Sequence, residues 1–405
     1  MRVIFVASND TQAKQFLSVA EQLPAEVRFL SLDAYYAYDA TPVLEGAGIQ
    51  PFELTWRGRE FDLATPILRY WMFWKGKADV DRILDTFRPD VTVLGNDMGP
   101  IERLIIQQSK VRGVPALLVQ DGVISPKYWW ESSSTWRRVC RNGRDLILRL
   151  MGLPGLAPVG YGASCDFVAA YDLPSREIFL GRGCNPDRVR VTGQPRYDTW
   201  GNPVNVAEWR KKIGIPQDGE VISFFTTNYA TFLQGNEHES LVSVVLRTMY
   251  RGGQGRFGII KVHPRENADY YEQLIRRLGL ANMHVVRNVD ARIIIELSSL
   301  VIVHVSTVGH EALLLGKPVF VADLLPHRGT LVLDRTAAIE DGAALRYTDS
   351  DALEKGITCF FDDGKTRHDL QAACQVYRLR FPELIDGKAA QRVGQFILEI
   401  AEQGD

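Results

Sequence analysis

Leu300-Val301-Ile302-Val303-His304-Val305-Ser306-Thr307-Val308-Gly309-His310-Glu311-Ala312-Leu313-Leu314-Leu315-Gly316-Lys317-Pro318-Val319-Phe320-Val321-Ala322 reads as strand, turn, helix, turn and strand. Leu300 to Val303 is a short run rich in branched apolar residues. Ser306 and Thr307 interrupt it, Gly309 to Leu315 suits a helix, and Gly316-Lys317-Pro318 closes that helix before the strand Pro318 to Ala322. Continuous apolar strands separated by a helix belong to a parallel sheet that is covered on both faces.

The same alternation extends in both directions. Strands are expected at Val221–Phe225, Gly258–Val262 and His284–Val286, and helices at Ser240–Tyr250, Ala268–Leu278 and Ala291–Leu297. An earlier series has strands at Val3–Ala7, Val27–Leu32, Asp90–Gly95, Ala116–Gln120, Phe167–Ala170 and Val189–Thr192, with helices at Gln12–Gln22, Asp79–Phe87 and Pro100–Lys110. Between the two series lies the turn-rich Gly193-Gln194-Pro195-Arg196-Tyr197-Asp198. The expectation is an α/β chain of two doubly wound, Rossmann-like domains facing across a cleft: a first domain over 1–197, a second over 198–385, and a closing helix over 386–405. That helix carries Ala389, Val393, Phe396, Ile397 and Ile400 at helical spacing and is expected to pack back on the first domain. An antiparallel α+β arrangement is the alternative. Ligands of doubly wound sheets sit at the carboxyl ends of strands.

Composition narrows the classes. The 405 residues are 46% hydrophobic and 24% charged, with formal net charge −2. These are ordinary globular values and exclude a disordered chain, a collagen-like repeat and a small disulfide scaffold. Bulk charge gives no case for nucleic acid. The five cysteines have no Cys-x-x-Cys spacing and read as free thiols in a reducing compartment. The N-terminus lacks the long apolar centre of a signal peptide, and no run approaches the ~18 apolar residues of a membrane span. A cytoplasmic location is expected, with attachment at the inner face of the membrane left open.

Three strand ends in the second half carry the chemistry. Thr226-Thr227-Asn228 offers hydroxyls and amides to a phosphate, or forms a plain capped turn. In Lys261-Val262-His263-Pro264-Arg265, proline fixes its own φ and biases His263 towards extended backbone. The imidazole would then project from the sheet edge, with Lys261 and Arg265 adding positive charge. Such a histidine can donate to or protonate a phosphate oxygen. Ser306, Thr307 and the amides of Val308 and Gly309 sit where a helix start binds anions, and Glu311, a turn further on, can bridge ribose hydroxyls. The alternative is a Ser/Thr cap with Glu as its capping-box partner.

The first half offers carboxylates. Asp121 follows one strand, Asp97 (after Asn96) another, and Asn9-Asp10 the first. Each Asp could act as a general base towards a bound hydroxyl, or simply form a turn. Asp121 ranks first, then Asp97, then Asp10. No histidine precedes His238. Lys127 to Arg149 interleaves Tyr128, Trp129, Trp130 and Trp136 with arginines, and Arg69 to Lys75 is a second aromatic and basic cluster. Both suit a membrane interface, a lipid-pyrophosphate or a stacked sugar, or else a solvated basic face. No Asp-x-Asp follows an expected strand, so no metal site is expected.

Lys-x-His-Pro at Lys261–Pro264, followed by a strand ending in Ser306-Thr307-Val308-Gly309-x-Glu311-Ala-Leu-Leu-Leu-Gly316-Lys317-Pro318, resembles GT-B-fold glycosyltransferases of bacterial surface polysaccharides. The pairing is similar to that of bacterial sialyltransferases, Kdo transferases and CDP-glycerol polymerases. Asp187–Asp198 looks like the segment that joins their domains, and Asp386-Gly387-Lys388-Ala389-Ala390 like their closing helix. The resemblance implies a metal-independent enzyme of capsule or lipopolysaccharide synthesis that needs no cofactor. A nucleotide sugar of CMP or UDP type would be the donor, and a glycan or lipid-linked molecule the acceptor. The histidine and the hydroxyl pair would bind the nucleotide phosphates, and an acid in the first domain would be the base. Where the sialyltransferases carry an acidic pair, this chain has Gln120-Asp121-Gly122. Non-hydrolysing UDP-N-acetylglucosamine 2-epimerases share the two-unit fold and a Ser-Gly-Glu-Glu-Ala segment, in which this chain keeps only one Glu, at Glu311. A catalytically silent nucleotide- or glycan-binding module is a third reading.

Overall fold

The computed structural model describes residues 1–36, 39–55, 66–124, 160–229, 233, 236–252, 255–325 and 332–403, with the side chains of 66–73 and 335 excepted. The chain divides into two units, Met1–Gly201 with Glu383–Asp405, and Asn202–Pro382.

In the first unit the strands are β1 (Arg2–Ala7), β2 (Glu26–Ser31), β3 (Phe52–Glu53), β4 (Val91–Leu94), β5 (Ala116–Val119), β6 (Phe167–Ala170) and β7 (Val189–Val191). They form one sheet in the order β3-β2-β1-β4-β5-β6-β7. Every pairing is parallel, with Val3 beside both Val27 and Val91. In the second unit β8 (Val221–Phe225), β9 (Phe257–Lys261), β10 (Met283–Val286), β11 (Leu300–Val303), β12 (Val319–Ala322) and β13 (Ala344–Tyr347) lie in the order β10-β9-β8-β11-β12-β13. They too are parallel throughout. The antiparallel alternative is thereby excluded. β3 and β13 were not expected. One has two residues, and the other (Ala-Leu-Arg-Tyr), at the sheet's edge, buries only Ala344 fully and exposes Arg346.

Burial explains why the apolar runs become strands. β4, β5, β6, β8, β11 and β12 are buried at every residue, so both faces of each sheet must be covered. One face of the first sheet packs Phe5, Phe16 and Phe29 together with Val393, Phe396 and Ile397 of the helix Ala389–Glu402. The C-terminal segment therefore completes the first unit's core. Its start is fixed by Asp198, whose carboxylate accepts the amides of Ala389 (2.9 Å) and Ala390 (2.7 Å). Arg392 of the same helix donates to the carbonyls of Thr192 and Glu383, 2.7 Å each. Gly193 makes this closeness possible: its φ is +82°, and a Cβ there would lie 2.1 Å from the Glu383 carbonyl.

Each strand order contains one place where neighbouring strands lead their connections in opposite directions, between β1 and β4 in the first unit and between β8 and β11 in the second. Ligand crevices of doubly wound sheets lie outside the carboxyl ends of strands at such points.

Candidate functional site

In the second unit the register sets Lys261 of β9 beside Phe225 of β8, and Phe225 beside Val303 of β11. Adjacent strands are ~4.8 Å apart, so the segments leaving their carboxyl ends emerge within about 10 Å of one another. Those segments are His263-Pro264-Arg265, Thr226-Thr227-Asn228 and Ser306-Thr307.

His263 is held at three points. Its amide donates to Thr226 Oγ1 (2.9 Å), its ring Nδ1 accepts the Arg265 amide (3.2 Å), and its carbonyl accepts the Glu266 amide (2.9 Å). The last bond closes a turn with Pro264 in second place, where a fixed φ is favourable. A neutral imidazole that accepts at Nδ1 carries its proton on Nε2. Burial, then the charges of Arg265 and Lys261, hold the ring below the ordinary histidine pKa. At pH 7 it is therefore neutral, and Nε2–H is a directed donor.

Arg265 is exposed beside it. Lys261, expected to help hold a phosphate, is 7% exposed and donates to the carbonyls of Arg287 (2.7 Å) and Val262 (3.1 Å). It holds strand ends together instead, and burial lowers its pKa. Thr226 is likewise buried. Its hydroxyl donates to Glu266 Oε2 (2.6 Å) while accepting the His263 amide, which places it behind the site. Thr227 and Asn228 are half-buried.

Thr307 is exposed, occupies the cap position of the helix Val308–Leu314 and makes no side-chain cap bond. Ser306 Oγ accepts the Val308 amide at 3.3 Å. The simple capping box thus does not describe this turn. Gly309 serves packing, since a Cβ would stand 3.0 Å from Leu333 and 3.1 Å from Val303. Glu311 is buried in the first turn of the helix.

In the first unit Asp121 stands just beyond β5 and is half-buried. Its backbone is locked. The amide donates to the Tyr161 hydroxyl (3.2 Å), which itself donates to the Gly95 carbonyl (2.8 Å), and the Asp121 carbonyl accepts from Gln194 (2.8 Å). Gln120, fully buried, donates to Gly122 and Ser175 and accepts the Tyr171 amide. Asp97 is fully buried, and its carboxylate accepts the amides of Gly162 (3.0 and 3.1 Å) and Ser164 (2.9 Å). It anchors the loop that carries Tyr161, so its geometry is that of a support for Asp121. Burial raises its pKa against those hydrogen bonds. Asn9 caps the helix Asp10–Ala20 by accepting the Gln12 amide (2.8 Å), and Asp10 pairs with Lys14 on the helix surface (3.1 Å).

Two residues absent from the sequence reading dominate the wiring. Glu102, fully buried, accepts from Ser8 (3.0 Å), Asn96 (3.1 Å) and Tyr36 (2.6 Å). Glu266, its side chain 8% exposed, accepts from Thr226 and from Tyr271 (2.9 Å). A glutamate five to eight residues beyond an apolar strand's end was the available signal in both cases. Among the described residues no group of three or more His, Cys, Asp or Glu could hold a metal. Asp349-Ser350-Asp351 does follow the unexpected β13, and Asp349 there caps the helix Ser350–Asp362. Lys127–Arg149 lies outside the described residues. So do the side chains of 69–73, leaving only Trp74 and Lys75 of that cluster, both exposed. No helix among the described residues is long and apolar enough to cross a membrane.

No family model and no curated protein sequence matches the chain. Solved structures do. The UDP-GlcNAc 2-epimerase of Neisseria meningitidis superposes with TM-score 0.64 at 14% identity, covering 98% of this chain and 100% of its own. Anabaena HepE gives 0.59 at 16%, over 98% and 99%. The wall teichoic acid polymerase TagF gives 0.59 at 15%, over 99% of this chain and 89% of that one. The chain has the GT-B fold. Sequence identity this low carries the architecture alone, and the chemistry of the two sets of strand ends has to be argued from their own residues.

Proposed function

We propose that this GT-B chain is a metal-independent glycosyltransferase. It moves a sugar from a nucleotide-activated donor of CMP or UDP type to a glycan or lipid-linked acceptor in surface-polysaccharide synthesis. The observation that carries the reading is the second unit's row of strand ends, where a neutral His263 with its proton on Nε2 shares one sheet edge with the hydroxyls of Ser306 and Thr307 and with exposed Arg265. Directed N–H and O–H donors and a guanidinium stabilise the charge that develops on a leaving phosphate. Among chains of this fold, the Neisseria epimerase was solved with UDP-GlcNAc and the Anabaena protein with UDP-glucose. Glu311 is assigned to the ribose. In the first unit Asp121, with its backbone locked and its residue half-open, is the base for the acceptor hydroxyl; Asp97 and Asp10 are committed elsewhere. A lipid-linked acceptor would hold the enzyme at the cytoplasmic face of a membrane.

The test is a thermal-shift series with CMP, CDP, UDP, GDP and ADP on the wild type and His263→Ala. A ligand at 100 times its Kd adds about 2.7 kcal/mol of stability. A pyrimidine nucleotide should raise the wild-type Tm and fail to raise that of the variant. An equal shift in both proteins would sink the reading.

The epimerase reading keeps one specific support, since the TM-score is 0.64 with the Neisseria epimerase and 0.59 with TagF. UDP-GlcNAc incubated alone separates the two, because an epimerase converts it without an acceptor.

A further inference from the structure

We propose that Glu266 is the positioning residue of the donor site: it acts through the Thr226 hydroxyl to hold His263 in its phosphate-binding pose. The inference rests on the reading of His263 given above and names what that reading requires behind it.

A carboxylate accepts only. Everything that reaches Glu266 donates: the Thr226 hydroxyl (2.6 Å) and the Tyr271 hydroxyl (2.9 Å) to Oε2, and the Tyr229 amide to Oε1 (3.4 Å). Tyr271 spends its one proton on Glu266, so His238 Nε2, 3.0 Å from the same hydroxyl, must donate to it. Thr226 spends its one proton likewise. That fixes the hydroxyl rotor and leaves a lone pair for the His263 amide at 2.9 Å. Glu266 also closes the His263–Glu266 turn through its own amide. Both ends of the histidine backbone are therefore set by one residue, and the Arg265 amide then sets the ring.

Glutamine cannot reproduce this. Its oxygen can serve Thr226 and Tyr271, but its NH2 then faces the Tyr229 amide, donor against donor. Turned round, its NH2 would donate to the Thr226 hydroxyl, whose own proton then has no acceptor here and whose rotor is no longer fixed. Charged hydrogen bonds are also roughly twice as strong as neutral ones. Hydroxyl-free Thr226→Val breaks the same path one step further on, whereas Thr226→Ser keeps it.

The experiment measures the affinity of UDP, CDP and CMP by calorimetry for wild type, His263→Ala, Glu266→Gln, Thr226→Val, Thr226→Ser and the core control Phe360→Leu. The imidazole 15N shifts of His263 are recorded alongside. Glu266→Gln and Thr226→Val should each weaken the binding nucleotide by about tenfold or more, on the scale of one lost hydrogen bond to a charged group. Both should lose the clean Nε2–H signature. Thr226→Ser should stay near wild type. Phe360→Leu, fully buried in the same unit's core, should lower Tm without changing affinity, which separates positioning from mere stability. If Glu266→Gln does not fold, the Val/Ser pair decides alone. Wild-type affinity in Thr226→Val, with binding lost in His263→Ala, overturns the role of Glu266 and leaves the site standing. Wild-type affinity in His263→Ala overturns the site itself.

Discussion

Glu102 and Glu266 are the same device used in two places. Each is a buried carboxylate near the carboxyl ends of a parallel sheet, and each is filled by uncharged donors from neighbouring segments. They differ in where their partners lead. Glu102 ties the ends of β1 and β4, through Ser8 and Asn96, to Tyr36 beyond β2, and Gly99 has no Cβ because one would lie 2.0 Å from its Oε2. None of these bonds reaches Asp121, which is placed by Tyr161 and, behind that, by Asp97. The Glu266 carboxylate is two hydrogen bonds from the His263 amide. The lesson is that burial and a full set of donors do not mark a functional carboxylate; what its partners hold does.

The largest effect that sharpens this contrast is in the first unit, at a residue Glu102 does not touch. Asp121→Asn should cut the transfer rate by about 10³, the usual worth of a positioned base, with UDP or CDP affinity unchanged. Full activity would remove the base from the first unit's account.

Glu102 itself should behave as scaffold. Glu102→Ala leaves the Ser8, Tyr36 and Asn96 donors around a hole and should cost roughly 3 kcal/mol, given about 1–3 kcal/mol for each buried group left unpaired and some relief from water. The urea midpoint reports it. Nucleotide affinity in the second unit should not move, in contrast to Glu266→Gln.

The sequence announced the sheet because apolar runs buried on both faces have few other uses; β1, β4, β5, β8 and β11 were found within a residue or two of their ends. β13 was missed because an edge strand of Ala-Leu-Arg-Tyr need not look apolar. In the site, His263-Pro264 was legible because proline dictates its neighbour's backbone. Lys261 misled because charge is visible in a sequence while burial is not, and the Val262 and Arg287 carbonyls it serves come from two different strand ends. Glu102 and Glu266 were hard to single out for the converse reason. Three of the donors that define them, Ser8, Tyr36 and Thr226, lie 94, 66 and 40 positions away along the chain.

The two units should also part company on acidification. All histidines lie at or beyond His238, hence in the second unit. Burial holds His238, His263, His284 and His304 below 6.5, and takes fully buried His310 down to about 3. A histidine with a lowered folded pKa stabilises fully above its unfolded value and loses that contribution as pH falls below 6.5, by about 1.4 kcal/mol per pH unit for His310. In the first unit Asp97 and Glu102 have raised pKa values, chiefly through burial. Their protonated forms favour the fold, so lower pH relieves a cost there. Peptide-resolved hydrogen exchange at pH 7 and pH 5.5 should show the second unit loosening and the first unchanged or tighter. His310→Phe should flatten the second unit's response, at about 1 kcal/mol for its lost bond with Tyr377 (2.9 Å). Parallel loosening of both units would break the contrast.

The smallest effect concerns what Glu102 would be without its donors. Gln15, in the helix Asp10–Ala20, is fully buried, and neither end of its side-chain amide has a partner among the described residues. A buried amide without hydrogen bonds costs about 1–3 kcal/mol on mutational scales. Leucine fills similar space, keeps helix propensity and removes the polar atoms. Gln15→Leu should therefore raise stability by about 1 kcal/mol in a urea titration, where Glu102→Leu, which strands three donors, should lower it. If Gln15→Leu is destabilising instead, the amide has partners of its own.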